Sequence, residues 1–119
     1  MAEAPRIHHL ALRVADCERA AAFYSGILGL VERRRLLDGS TLRAIWLETG
    51  GALLMLERAL RGRGAEEGSG HLVAFAVDDL PAWERRLAAA GVEVEDRTAH
   101  TLYVRDPDGH RVGLSTFPV

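Results

Sequence analysis

Leu10, Leu12 and Val14 alternate with His9, Ala11 and Arg13, so the start of the chain reads as a half-buried strand. The leucine face turns inward, and His9 and Arg13 point the other way. Asp16 then offers a short acceptor to free backbone N–H groups, and Ala20, Phe23, Tyr24 and Ile27 recur at helical spacing. A helix is expected from about Cys17 to Leu28, stopped at Gly29. Alternation returns in three runs, predicting strands over 30–37, 41–48 and 52–58 with turns at Asp38-Gly39 and Thr49-Gly50-Gly51.

The same rhythm then starts again. Residues 71–77 form an apolar-alternating run that ends at Asp79, a second cap, with Pro81 in the first turn of a helix expected over 80–90 and stopped at Gly91. Strands follow over 92–96, 101–105 and 110–116, the last pair joined by Asp106-Pro107-Asp108-Gly109. Each half is therefore a strand, a helix and three strands. Between them, residues 61–70 hold four glycines and no apolar period, which reads as a linker joining module 6–60 to module 71–118 of a single domain.

Composition narrows the class without choosing a function. A chain of 119 residues, 48% hydrophobic and 27% charged, has the balance of an ordinary globular domain with a real core. The net charge of -2 leaves no footprint for nucleic acid, although all 15 basic residues are arginine. No run approaches the roughly 20 apolar residues of a membrane span, and no apolar signal core follows Met1, so neither a membrane nor export is expected. Cys17 has no second cysteine to pair with, which fits the cytoplasm. At the start of a helix its thiol has a route to a lowered pKa, but a buried structural cysteine is the expectation.

The run His-Leu-Ala-Leu-Arg-Val-Ala-Asp, followed by Ala-Ala-Phe-Tyr and Leu-Gly-Leu, then by Phe-Ala-Val-Asp-Asp-Leu and Asp-Pro-Asp-Gly-His-Arg-Val-Gly-Leu, resembles the vicinal oxygen chelate superfamily. This is the glyoxalase, bleomycin resistance protein and extradiol dioxygenase group, and the resemblance covers nearly the whole chain. It implies an α+β fold of two βαβββ modules whose curled mixed sheets surround a cavity with the helices outside. It also implies a homodimer. Fold alone does not fix the reaction.

Where such proteins hold a divalent metal, the resemblance implies His or Glu ligands at four positions, which fall here on His9, Met55, Leu72 and Gly113. Only His9 suits a hard metal, and a catalytic zinc-type site normally takes three protein ligands. A rearranged set of His9, Glu57 and His71 needs a bulge to turn His71 inward and Glu57 to reach back along its strand. The expectation is therefore a cavity without a cofactor. Strand parity lines it with His9, Ala11 and Arg13 from the first strand and Leu53, Met55 and Glu57 from the fourth. Leu72, Ala74 and Ala76 join from the fifth, and Arg111, Gly113 and Ser115 from the last. Such an apolar floor with a few polar points is the character of a small-molecule pocket.

Within that lining, Arg13 and Arg111 suit a carboxylate or phosphate, while an internal pair with Glu57 is the competing reading. Trp46 and Tyr103 read as packing aromatics of strands. Ser115 has no base placed beside it, and no glycine-rich loop matches a nucleotide motif. Two functions stay open: a metal-independent small-molecule binding protein, and an enzyme. The enzyme is a lyase, isomerase or dioxygenase with a rearranged metal site, or a metal-free catalyst with His9 as general base.

Overall fold

In the first half of the chain, β1 (His9–Arg13) leads to α1 (Cys17–Ala21), which continues as a π-helical segment (Ala22–Ile27). Three strands follow, β2 (Glu32–Asp38), β3 (Thr41–Glu48) and β4 (Leu53–Glu57). The second half repeats this with β5 (Val73–Ala76), α2 (Leu80–Ala89), β6 (Asp96–Arg97), β7 (Thr101–Arg105) and β8 (Arg111–Ser115). The computed structural model describes residues 4–62 and 70–119, so most of the expected linker 61–70 lies outside the described residues. The chain divides into two units, with the boundary after Gly62.

Each unit folds one four-stranded sheet, in the orders β1-β4-β3-β2 and β5-β8-β7-β6. In both, the first and last strands of the module pair in parallel and the remaining pairs are antiparallel. A helix supplies the crossover that parallel neighbours require. This is the α+β, twice-βαβββ architecture expected from the sequence. No helix among the described residues is long and apolar enough to cross a membrane.

Parity decides which side chains meet the helix. In the first unit Leu12, Val14, Ile45, Leu47, Leu54 and Leu56 are buried together with Cys17, Ala20, Phe23 and Tyr24 of the helical segment. Helix α1 contacts β3 and β4, and Cys17 Sγ lies 3.7 Å from the Leu56 carbonyl oxygen it faces. In the second unit Leu87 of α2 is buried, as are Leu102, Val104, Val112 and Leu114 of the sheet. Burying one such side chain stabilises by about 1.5–3 kcal/mol, which is why the leucine face and not the His9 face was drawn inward.

The caps behave as the sequence reading requires. Asp16 accepts from the N–H groups of Glu18 and Arg19, and Asp79 accepts from Ala82. Two expectations need correction. The first helix is not α-helical to Leu28: the Leu28 N–H donates to the Phe23 carbonyl, the long spacing of a π segment. The strand expected over 92–96 shrinks to Asp96–Arg97, because the end of α2 has first claim on that backbone. Val92 N–H donates to Leu87 and Gly91 N–H to Ala88, a Schellman closure with Gly91 at φ 75°.

Candidate functional site

The parallel register of β1 and β4 sets His9 beside Leu53, Ala11 beside Met55 and Arg13 beside Glu57. Across β4, Trp46 of β3 lies opposite Met55 and Ala44 opposite Glu57. These residues share the sheet face turned from the helix, so the lining expected of the first module is assembled on one surface. His9 is exposed, and its Nδ1 lies 2.9 Å from the Nδ1 of His8, so in that contact one imidazole donates and the other accepts. Met55 is buried.

The charged members of this face have different fates. Arg13 donates from Nε to the Leu60 carbonyl at 3.1 Å and from Nη2 to the Gly62 carbonyl at 2.8 Å, tying down the chain that leaves β4. Glu57, its neighbour in register, has a buried Oε2 with no hydrogen-bond partner among the described residues. The indole Nε1 of Trp46 is buried and unpartnered in the same sense. The Arg34 guanidinium sits 5.6 Å from the centre of the Trp46 ring. Next to them, a cleft of about 600 Å³ is lined by His8, Arg33, Arg34, Trp46, Glu48 and Leu53, among others, and Arg33 pairs with Glu48.

In the second unit Ala74 lies beside Gly113 and Ala76 beside Ser115, while Leu72 is exposed just before β5. Ser115 Oγ is 2.8 Å from Thr101 Oγ1 and accepts from the Phe117 N–H at 3.1 Å. Arg111 donates to Glu95 at 3.2 Å, approaches Asp96 at 3.5 Å and stacks 4.2 Å above the Tyr103 ring. Arg105 reaches the other oxygen of Glu95 at 3.0 Å. These hydrogen bonds, that from Arg105 first, hold the Glu95 carboxyl below the usual carboxylate range. His71 and His110 have ring centres 5.3 Å apart beside a cleft of about 400 Å³.

The metal expected from the resemblance can be tested on the donor set. Of His9, Met55, Leu72 and Gly113, only His9 carries a nitrogen or oxygen donor in its side chain. At Gly113 a Cβ would already stand 3.3 Å from the Ala74 Cβ, so the strands close together where a longer ligand side chain would have to start. In the rearranged set, the register puts Glu57 four residues along from the position beside His9, a separation of roughly 13 Å along the strands. Both donors would have to approach within about 2 Å of one zinc-type ion. No group of three His, Cys, Asp or Glu side chains among the described residues is placed to hold an ion. The residues present do not fit the metal.

Sequence reasoning placed Glu57 on this face but treated it as a partner for an arginine. It gave Trp46 to packing, although alternation along residues 41–48 sets Trp46 on the face opposite to Ile45 and Leu47, and the strand pairing then puts it opposite Met55. The signal was present in the parity of one strand.

The model of the Glyoxalase/Bleomycin resistance protein/Dioxygenase superfamily matches residues 6–114. A metallothiol transferase FosB of Bacillus licheniformis is 30% identical over 123 residues, covering 92% of this chain and 74% of that protein. A probable lactoylglutathione lyase of Vibrio cholerae serotype O1 is 31% identical over 123 residues, covering 92% and 88%. The crystal structure of TnmS3, an antibiotic binding protein from Streptomyces sp. CB03234, superposes with a TM-score of 0.74 at 21% identity, covering 97% of this chain and 98% of that one, and so shares the fold.

Proposed function

The chain belongs to the Glyoxalase/Bleomycin resistance protein/Dioxygenase superfamily, and within it we propose a small-molecule binding protein that works without a resident metal. The observation that carries this reading is the donor set: three of the four expected ligand positions hold Met55, Leu72 and Gly113, none of which offers a hard donor. What remains is a sheet face of mixed character. Leu53 and Met55 supply apolar and polarisable surface, and Trp46 and Glu57 supply fixed polar points, which is the usual division of labour in a ligand pocket. The antibiotic binding protein of the same fold is a precedent for the architecture. A homodimer in the cytoplasm completes the proposal, since small members of such families pair and Cys17 has no internal partner.

The test is a thermal-shift screen of aromatic and heteroaromatic compounds, run on protein stripped with EDTA and on protein supplied with Ni, Zn, Mn or Fe(II). Ligands that raise Tm equally in both conditions support the reading. Ligands that act only on metal-supplied protein overturn it.

A second reading, an enzyme, is favoured by the names of the two curated relatives and by the His8–His9 contact. When His9 Nδ1 donates in that contact, its Nε2 keeps a lone pair for proton abstraction. Under this reading His9→Ala abolishes turnover of a bound compound while its affinity is retained.

A further inference from the structure

We propose that the face of the first unit selects a two-ended ligand, with a protonated amine or hydroxyl directed at Glu57 and a carboxylate or carbonyl oxygen directed at Trp46. This rests on the binding reading above and names the chemistry of its ligand.

Two buried polar atoms of this sheet face, Glu57 Oε2 and Trp46 Nε1, have no hydrogen-bond partner among the described residues. Folded proteins seldom leave such atoms unpaired, because each forfeits its hydration without compensation. One is an acceptor and the other a donor, so a single ligand that satisfies both must carry the opposite pair. Trp46 lies opposite Met55, and Glu57 is two residues further along β4, which spaces the two positions roughly 7 Å along the sheet. Met55, with its flexible thioether, lies between them as the apolar floor.

The surrounding charges agree with that polarity. Arg34 stands over the Trp46 ring and adds a cation at the end that wants an acceptor. At the other end, Arg13 directs Nε and Nη2 to the carbonyls of Leu60 and Gly62, and the Glu57 Oε2 beside it accepts from neither of them. The arginine expected to define an anion site is thus part of the scaffold, and the carboxylate next to it is the group that asks for a ligand donor.

The experiment is calorimetric titration of the EDTA-treated full chain with three matched probes: 4-(aminomethyl)benzoate, 4-methylbenzoate, which lacks the amine, and benzylamine, which lacks the carboxylate. The expected result is that 4-(aminomethyl)benzoate binds at least ~10-fold more tightly than either fragment, as hydrogen bonds to charged groups warrant. Trp46→Phe should erase its advantage over benzylamine. Glu57→Met should erase its advantage over 4-methylbenzoate while leaving Tm of the free protein unchanged or higher, because an apolar side chain of similar length removes an unpaired acceptor. Equal affinities for the three probes, or no saturable binding of any, would overturn the inference, as would a fall in Tm of several degrees in Glu57→Met. Tighter binding of 4-methylbenzoate would overturn this inference and leave the binding reading standing. Binding that appears only after zinc is added would overturn the metal-free reading itself.

Discussion

At equivalent places in the two sheets, Arg13 sits beside Glu57 in the first unit and Ala76 beside Ser115 in the second. The backbone pairing is the same in both, down to the parallel contact between the module's first and last strands. Chemistry is not. In the first unit the carboxylate keeps a buried oxygen without a partner among the described residues, whereas in the second the Ser115 hydroxyl meets Thr101 and the Arg111 guanidinium meets Glu95, Asp96 and Tyr103. The comparison teaches that a repeated module can keep its fold through the leucine face alone. The other face is then free to diverge, and the buried polar atoms without a hydrogen-bond partner among the described residues, Glu57 Oε2 and Trp46 Nε1, lie in the first unit.

The largest effects should fall on the shared part. Leu56→Ala in the first unit and Leu87→Ala in the second each remove a fully buried side chain, and each should cost about 2–5 kcal/mol in urea denaturation. A cost below about 1 kcal/mol at either position would break the equivalence of the two cores.

Next come the turns before β4 and β8, which differ in how they are fastened. Asp106 is buried and accepts from the N–H groups of Asp108 and His110, whereas Thr49 donates its hydroxyl once, to the Ala52 carbonyl at 2.7 Å. Asp106→Ala should cost about 1–3 kcal/mol and Thr49→Ala about 0.5–1.5 kcal/mol, read from the same denaturation midpoints. The reverse order would show that the second turn owes its shape to Pro107 and Gly109 rather than to the carboxylate.

A smaller effect concerns Cys17. Burial raises its thiol pKa above the ordinary value, ahead of the opposing influence of Arg58. The native protein at pH 8 should therefore react with iodoacetamide far more slowly than the urea-unfolded chain. Comparable rates would mean that the first helical segment opens readily.

The smallest effect is confined to the second unit. Glu95 is held below its usual pKa by Arg105 and Arg111, and Glu84 by Arg97. A carboxylate depressed on folding adds stability that is fully present above its unfolded value near 4.5 and is lost as pH falls through the folded one. Glu95→Gln should flatten the loss of stability between about pH 5 and pH 3, its small cost appearing at pH 7 and vanishing at the acid end. An unchanged acid slope would mean that these exposed pairs contribute nothing measurable.

Much of the fold was legible because alternation and caps are local. Leu12 and Val14 were assigned inward and Asp16 and Asp79 to helix starts from a few residues each, and the structure agrees. The π segment was not legible, since Phe23, Tyr24 and Ile27 suit either helical spacing and the choice depends on how they pack. The strand over 92–96 was overstated because its apolar residues said nothing of the Schellman closure that had already engaged Val92. On the site, parity put His9, Met55 and Glu57 on one face. It did not show where the Arg13 guanidinium would go, because the carbonyls of Leu60 and Gly62 lie 47 and 49 residues away and only the folded chain brings them near.

The central claim is that this member of the superfamily works without a resident metal. The most direct measurement is the metal content of protein purified without chelator, by elemental mass spectrometry, together with Tm before and after addition of Ni, Zn, Mn and Fe(II). The account predicts far less than one metal per chain and no shift in Tm. One tightly held metal per chain, lost in His9→Ala, would contradict it.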